Sequence, residues 1–328
     1  MQCNNTAQVR AENKRILLGT LAQCESATKN DLAQSTGLSV ATCNTLLNEM
    51  AATGEVYPCG QKSVHAIGRP SERYCFNPDF ALVCCVFAQF DGTSTVLKYC
   101  VANLRGEIIE ESTQENAALG YTQMKACIEN LRKKYPAIAA IGAGMPGVVS
   151  AQGSLENCDV PAFAGCALKK QLTEDFGISV TVENDMNAMA LGMAHSGDFG
   201  TAETFAALIF HKGVSPGAGV VVNGSIVRGT TSFAGEISHL CPEETLLDAA
   251  VRCMTVVLNP AVIAVTGNAM TQSIVQKAAE RLSQVISARH CPKICFTRQF
   301  DPYYRSGMIA LCLQQINAPG AKEKISGT

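Results

Sequence analysis

The chain has 328 residues, 47% of them hydrophobic and 16% charged, with a net charge of −2. It is long enough for more than one folding unit, and too apolar and too evenly charged for a disordered tail or a globally basic nucleic-acid coat. Any contact with nucleic acid must therefore be local.

The first fifteen residues are polar and charged, without the apolar stretch of a secretory signal, so a cytoplasmic location is expected. Ile16, Leu17 and Leu21 then mark one face of a first helix. Thr28 with Asp31 three residues on signals a second, in a weaker form of the capping box. After the break at Ser35-Thr36-Gly37, Ser39 can cap a third helix. Its Val40, Cys43, Leu46, Leu47 and Met50 recur at helical spacing and leave Thr42, Thr45 and Asn48 on the opposite face. This is a helix-turn-helix pattern.

Short hydrogen-bonding side chains on an exposed helix suit the base edges of a major groove. Ser39, Thr42, Asn44, Thr45 and Asn48 are the DNA-reading candidates, and a small three-helix domain with a solvated polar face is the alternative. Strands near 54–57 and 73–76 predict a hairpin wing carrying Lys62 and Arg69. The stretch 60–78 holds Lys62, Arg69 and Arg73 against Glu72 alone, so positive charge gathers there. Gly68-Arg69-Pro70 presents its arginine on a stiff loop fit for a minor groove. The third helix lacks Lys and Arg, so phosphate attraction is thin for one copy, and a homodimer or homotetramer on paired half-sites is expected. Asn77-Pro78 closes the unit as a candidate hinge.

From residue 79 strands and helices alternate, which predicts an α/β fold. Strands are expected near 81–90, 95–103, 107–111, 137–143, 178–182, 204–211, 218–222, 225–228, 261–266 and 293–297. Helices are expected near 120–134, 185–194, 244–257, 270–288 and 305–317, with Asn223-Gly224 as a two-residue hairpin turn. The sixteen cysteines occur singly or in apolar runs such as 81–88 (ALVCCVFA). They are expected to pack as small hydrophobes in a reducing compartment rather than to form a disulfide scaffold. No run is long enough to span a membrane, and no tryptophan is present to offer an indole platform.

Polar residues follow apolar strands at Asp91-Gly92-Thr93-Ser94, Gly144-Met145-Pro146-Gly147, Glu183-Asn184-Asp185-Met186-Asn187 and Gly213 to Gly219. Carboxyl ends of strands are where α/β proteins collect ligands. Each segment alone is equally a turn or a helix cap.

In order and content these segments resemble the ROK family of repressors, open reading frames and sugar kinases. The stretches that carry the likeness are VVNGSIVRGTTSFAGEISHL (220–239), VENDMNAMALG (182–192), Ile141 to Val149, Leu258-Asn259-Pro260, the helix-turn-helix, the Gly-Arg-Pro wing and the Asn-Pro junction. The resemblance implies a winged helix-turn-helix at 1–78 followed by a two-lobed actin-like ATPase (ribonuclease H-like) domain. Lobe I would comprise 79–182 plus 305–320 and lobe II 183–304. It implies sugar-binding positions at Gly147, Asn184, Asp185, Glu236 and His239, with Asp185 as general base if the chain were a kinase. Carboxylates and amides hold sugar hydroxyls with little apolar contact.

The chain departs from the family on the phosphate side. The kinase Asp-x-Gly-Gly-Thr stands here as Asp91-Gly92-Thr93-Ser94, and Gly-Thr-Gly as Gly213-Val214-Ser215. Asp91, Thr93, Gly213, Ser215 and Gly217 form at best a degenerate phosphate set, so ATP turnover is not expected. The Cys-rich zinc run that follows Glu-x-Gly-His in the family is missing. His239 and Cys241 remain, and Cys253 does not complete a tetrahedral cage. His290, Cys291 and Cys295 are read as structural. Neither zinc nor ATP is expected as a cofactor. The expectation is a sugar- or sugar-phosphate-responsive DNA-binding regulator, most simply a repressor that recognises an operator. The alternatives are a sugar kinase with a DNA-binding head and a regulator that has lost its effector.

Overall fold

A computed structural model of the chain describes residues 6–62, 71–90, 95–116, 119–240 and 245–316. Arg69, Asp91, Thr93 and Cys241 lie outside them. The head consists of α1 (Thr6–Gln23), β1 (Ala27–Thr28), α2 (Lys29–Thr36), α3 (Val40–Thr53), β2 (Val56–Lys62) and β3 (Ser71–Phe76). Local chemistry sets its corners. Thr28 Oγ1 accepts from the Asp31 amide at 3.2 Å while Asp31 accepts from the Thr28 amide at 3.0 Å, a complete capping box. Ser39 caps α3 by accepting from the Thr42 amide. Leu17, Leu21, Leu32, Leu47 and Met50 interlock as the buried core of the three helices, closed by Tyr74 and Phe76 of β3.

The three strands lie in the order β1-β3-β2. Both wing strands run further than the sequence pattern suggests, because the hairpin continues past a bulge between Pro58 and Gln61. Cys59 and Cys75 are joined by a disulfide, so the cysteines are not all packing residues. The others described are free, and all of them are buried or half-buried.

The junction is hydrogen-bonded on both sides. Asn77 donates from its amide to Glu55 O and from Nδ2 to Gly54 O, tying the junction to the head. Pro78–Phe80 forms a single 3-10 turn whose Pro78 carbonyl accepts from Leu104. The buried Asn103 donates to both Asp79 and Glu107 and accepts from the amides of Arg105 and Glu107. A proline marked the end of regular structure, but only long-range hydrogen bonds decide whether such a point bends.

The remainder runs β4 (Leu82–Phe90), β5 (Thr95–Asn103), β6 (Ile108–Asn116), α4 (Tyr121–Lys134), β7 (Ile138–Met145), β8 (Gly147–Val149), β9 (Leu155–Cys158), α5 (Leu168–Phe176) and β10 (Ser179–Asn184). It continues with α6 (Asp185–Ser196), β11 (Thr204–Ile209), β12 (Gly217–Val222), β13 (Ser225–Ile226), α7 (Leu246–Leu258), β14 (Val262–Thr266), α8 (Gln272–Val285), β15 (Lys293–Phe296) and α9 (Asp301–Gln315). Two five-stranded sheets result, ordered β10-β7-β4-β5-β6 and β13-β12-β11-β14-β15. In each, three strands meander antiparallel and two more join parallel on the other side of the first. The same topology thus occurs twice, a repeat that no sequence similarity announces.

Each sheet is covered on both faces, which explains runs such as ALVCCVFA. Along β4, Leu82, Cys84 and Val86 face α4 and α5, while Val83, Cys85 and Phe87 face the core that contains α9. In the second sheet Ala206 and Leu208 face α7 and α8, while Phe205 and Ala207 face α6. The sheets meet through α6 and α9, which cross at two glycines. A Cβ on Gly192 would lie 1.9 Å from Tyr303 O, and one on Gly307 would lie 1.8 Å from Ala188 O.

Candidate functional site

The ends of β7 and β10 lie side by side, with Asn184 opposite Met145, and there the chain must turn into α6. Asn184 caps that helix by accepting from the Asn187 amide at 3.0 Å, and its Nδ2 donates to Gly147 O at 2.8 Å. Gly147 has φ +115°, and a Cβ there would meet Asn157 O at 2.1 Å. Only glycine fits, and it brings its carbonyl against the helix start. Asp185 opens α6 and accepts from the Met186 amide at 2.8 Å.

The second lobe completes the site. Gly235, with φ +105°, lays its carbonyl on the Ala218 amide of β12, which presents the next residue, Glu236, toward Asp185. Gly147, Asn184, Asn187, Ser232 and Glu236 line a gap of about 20 Å³, the room of a single water. Burial pushes the Asp185 carboxyl up to about 7, with repulsion from Asp159 and Glu236 adding and the Met186 amide opposing. Glu236 is raised by burial, eased by His239 and raised again by Asp159. Three carboxylates therefore repel one another at one place, Asp185 and Glu236 half-buried and Asp159 at the exposed edge. Hydroxyl donors from a sugar would satisfy them.

Of the positions expected to bind sugar, Gly147, Asn184, Asp185 and Glu236 converge. His239 is exposed at their margin, its ring 5.4 Å from Phe233. α7 begins soon after it, at Leu246, and among the described residues no group of three His, Cys, Asp or Glu could hold a metal. Of the degenerate phosphate set, Gly213 and Ser215 lie on the turn between β11 and β12, and Gly217 borders the same gap as Glu236. Gly219 is required by packing, since a Cβ would meet Met186 O of α6 at 2.4 Å.

Three residues of the site escape sequence reasoning. Asp159 follows β9, which no pattern predicted, and reaches the cluster from a distant loop. Glu183, next to Asn184, is almost wholly buried and forms an ion pair with Arg228 of the second lobe. Arg228 Nε donates to Glu183 Oε2 at 3.0 Å, while Oε1 accepts from Asn187 Nδ2 and from the Asn184 amide. This clasp joins the β10 end to the hairpin that leads to Glu236. Both residues lay inside recognised segments, but their pairing has no local signal.

In the head, Asn44, Thr45, Asn48 and Ser39 are exposed along α3 and Thr42 is half-buried. Ser39 and Thr42 share a hydroxyl contact at 2.9 Å, and Thr45 donates back to Ala41 O. Lys62 ends β2. Lys29, which no local pattern singles out, opens α2, donates to Asn44 Oδ1 at 2.6 Å and sits 5.5 Å from the Tyr74 ring. It adds positive charge beside the helix that lacks its own.

A winged helix-turn-helix followed by two ribonuclease H-like sheets around a carboxylate-lined cleft defines an actin-like protein with a DNA-binding type of head. The ROK family model matches residues 90–256 and the winged helix-turn-helix DNA-binding model residues 10–54. The chain belongs to the ROK family. The xylose repressor of Caldicellulosiruptor bescii is 25% identical over 246 residues, which span 72% of this chain and 60% of that repressor. The N-acetyl-D-glucosamine kinase of Yersinia enterocolitica is 37% identical over 101 residues, 30% of this chain and 33% of the kinase. The crystal structure of a ROK family transcriptional regulator, a homologue of the Escherichia coli Mlc protein, superposes with a TM-score of 0.69 at 16% identity. It covers 95% of this chain and 98% of its own, and it establishes the shared fold. No described helix is long and apolar enough to cross a membrane.

Proposed function

We propose that the protein is a sugar-responsive transcriptional regulator, acting as a repressor. α3 reads operator DNA with Ser39, Thr42, Asn44, Thr45 and Asn48, and Lys29, Lys62 and Arg69 supply positive charge around them. The cleft binds a sugar or sugar phosphate through Gly147, Asn184, Asp185 and Glu236, with His239 at its rim. The observation that carries the reading is the joining of both devices in one chain: a capped recognition-type helix, and a cleft where the buried carboxyl of Asp185 faces Glu236. Likeness to a repressor and to an amino-sugar kinase supports the two halves separately.

The gap between Gly147 and Glu236 has about 20 Å³, room for a single water and not for a sugar ring, so sugar entry requires the lobes to part. A ligand that favours one lobe arrangement shifts its population, and in a dimer this alters the spacing of the two heads. The test is linkage. DNA duplexes recovered from a random pool should change sugar affinity by the same factor as sugar changes DNA affinity. Independent titrations of the two would refute the sensor model.

A kinase reading has one observation in its favour: Asp185, with its carboxyl near 7, could serve as a base at neutral pH. ATP-dependent phosphorylation of a sugar that Asp185→Asn abolishes would establish it. The substituted phosphate segments argue against that result.

A further inference from the structure

The wing is held together unusually. β3 is the central strand of the head, bonded to β1 through Ala27↔Tyr74 and Thr28↔Arg73. The Arg73 guanidinium fixes it further by donating to Ser26 Oγ at 2.8 Å and to Ser26 O at 2.6 Å. β2 is an edge strand with β3 as its one strand neighbour. Its ladder is interrupted at Pro58-Cys59-Gly60-Gln61, where Cys59 and Gly60 together face Arg73. Pro58 has no amide hydrogen, and Gly60 sits at φ +128°, so the interruption follows from the residues themselves. Beyond it, among the described residues, the pairs are Gln61↔Glu72 and Lys62↔Ser71.

At that break a covalent bond replaces the missing ladder. Cys59 bonds to Cys75, sixteen residues away, with Cα atoms 5.9 Å apart. Cys59 is exposed and Cys75 half-buried, whereas Cys43, Cys84, Cys85, Cys100, Cys127 and Cys312 are buried. The bonded pair is thus open to small thiols and disulfides that cannot reach the interior.

We propose that Cys59 and Cys75 form a reversible dithiol–disulfide switch that holds or releases the wing strand, a regulation that rests on the DNA-binding reading of the head. In the dithiol form, the Cys59 thiolate attacks a low-molecular-weight disulfide such as glutathione disulfide, breaking its S–S bond and expelling one thiolate. The Cys75 thiolate then attacks Cys59 Sγ in the mixed disulfide and expels the second. The protein pair loses two electrons, the small disulfide gains them, and the two thiol protons end on the released thiols. Excess small thiol reverses each step. Oxidised, β2 is anchored across its bulge and ordered before it meets DNA. Reduced, β2 beyond Pro58 is held by two residue pairs and must be ordered on binding, which weakens the complex.

The test uses the full chain equilibrated in glutathione buffers of graded thiol-to-disulfide ratio. Alkylation mass spectrometry should show this pair passing reversibly between thiols and disulfide. Reduction should speed amide exchange in β2 about tenfold or more, and weaken binding to duplexes recovered from a random pool by about three- to tenfold. Cys59→Ser and Cys75→Ser should each match the reduced protein and ignore the buffer. A pair that stays as thiols in glutathione disulfide overturns the proposal, as do redox forms with equal β2 exchange. If neither form retains any duplex, the DNA-binding reading fails, while β2 exchange still decides whether the strand is switched.

Discussion

At Asp185 burial and charge conflict. Its carboxyl stands at about 7 in the folded protein, against an ordinary value of about 3.9 in an unfolded chain. Between those values the folded state holds a proton that the unfolded state has lost, so stability falls as pH rises through the window and levels off above it. Asp185→Asn removes the conflict, and the variant is expected to be more stable than the parent by about 2–4 kcal/mol at pH 8. The gain should vanish near pH 4, as paired denaturation curves would show. The opposite change is expected at the clasp. Arg228→Ala leaves Glu183 buried with only the neutral donors of Asn187 and the Asn184 amide. Because the arginine side chain is 40% exposed, solvent softens the loss to about 1–3 kcal/mol, read by urea unfolding. Asn184 and Asp185 stood out in the sequence only through their match to the family's segment, since a strand running into Asn-Asp is by itself a helix cap. Asp159 and Arg228 did not stand out, since each reaches the site from another part of the chain.

At the scale of elements, α6 and α9 carry the joint between the two sheets. Gly192 and Gly307 let their backbones touch, and no rotamer change can make room for a Cβ 1.8 Å from a carbonyl oxygen. Gly307→Ala should therefore force the helices apart and cost about 2–4 kcal/mol. An equivalent change at Gly165, which has open space around its Cβ position but φ +73°, is expected to cost only about 1 kcal/mol. Thermal melts of the two variants separate packing from backbone strain. The main strands and the helices with apolar periodicity were readable in the sequence, because burial of one or both faces leaves a pattern. β1, β8 and β9 were not, being two to four residues long and held by partners far away in sequence.

At the scale of the molecule, one hydrophobic core runs from Leu17 and Phe76 in the head to Met189 and Met308 between the sheets. The junction at Asn77–Asp79 and the turn at Asn103–Glu107 bind the head to the first sheet. Gly106 of that turn lies against Ile309 and Leu313 of α9. A change in how α9 sits between the lobes thus has a packed route to the head. Asn103→Ala should keep both DNA and sugar binding while reducing the factor by which each affects the other, measured by calorimetry with and without the second ligand. Unaltered coupling would place the route elsewhere. The sequence by itself determined the caps, the helix-turn-helix, the alternating sheets and the family, because these rest on residues within a turn or a strand of one another. The tertiary structure alone decided the carboxylate cluster, the Glu183–Arg228 clasp, the tied junction and the Cys59–Cys75 bond. Each joins residues whose separation along the chain leaves no periodic trace, so only the closed fold brings their charges, hydrogen bonds and sulfur atoms within reach.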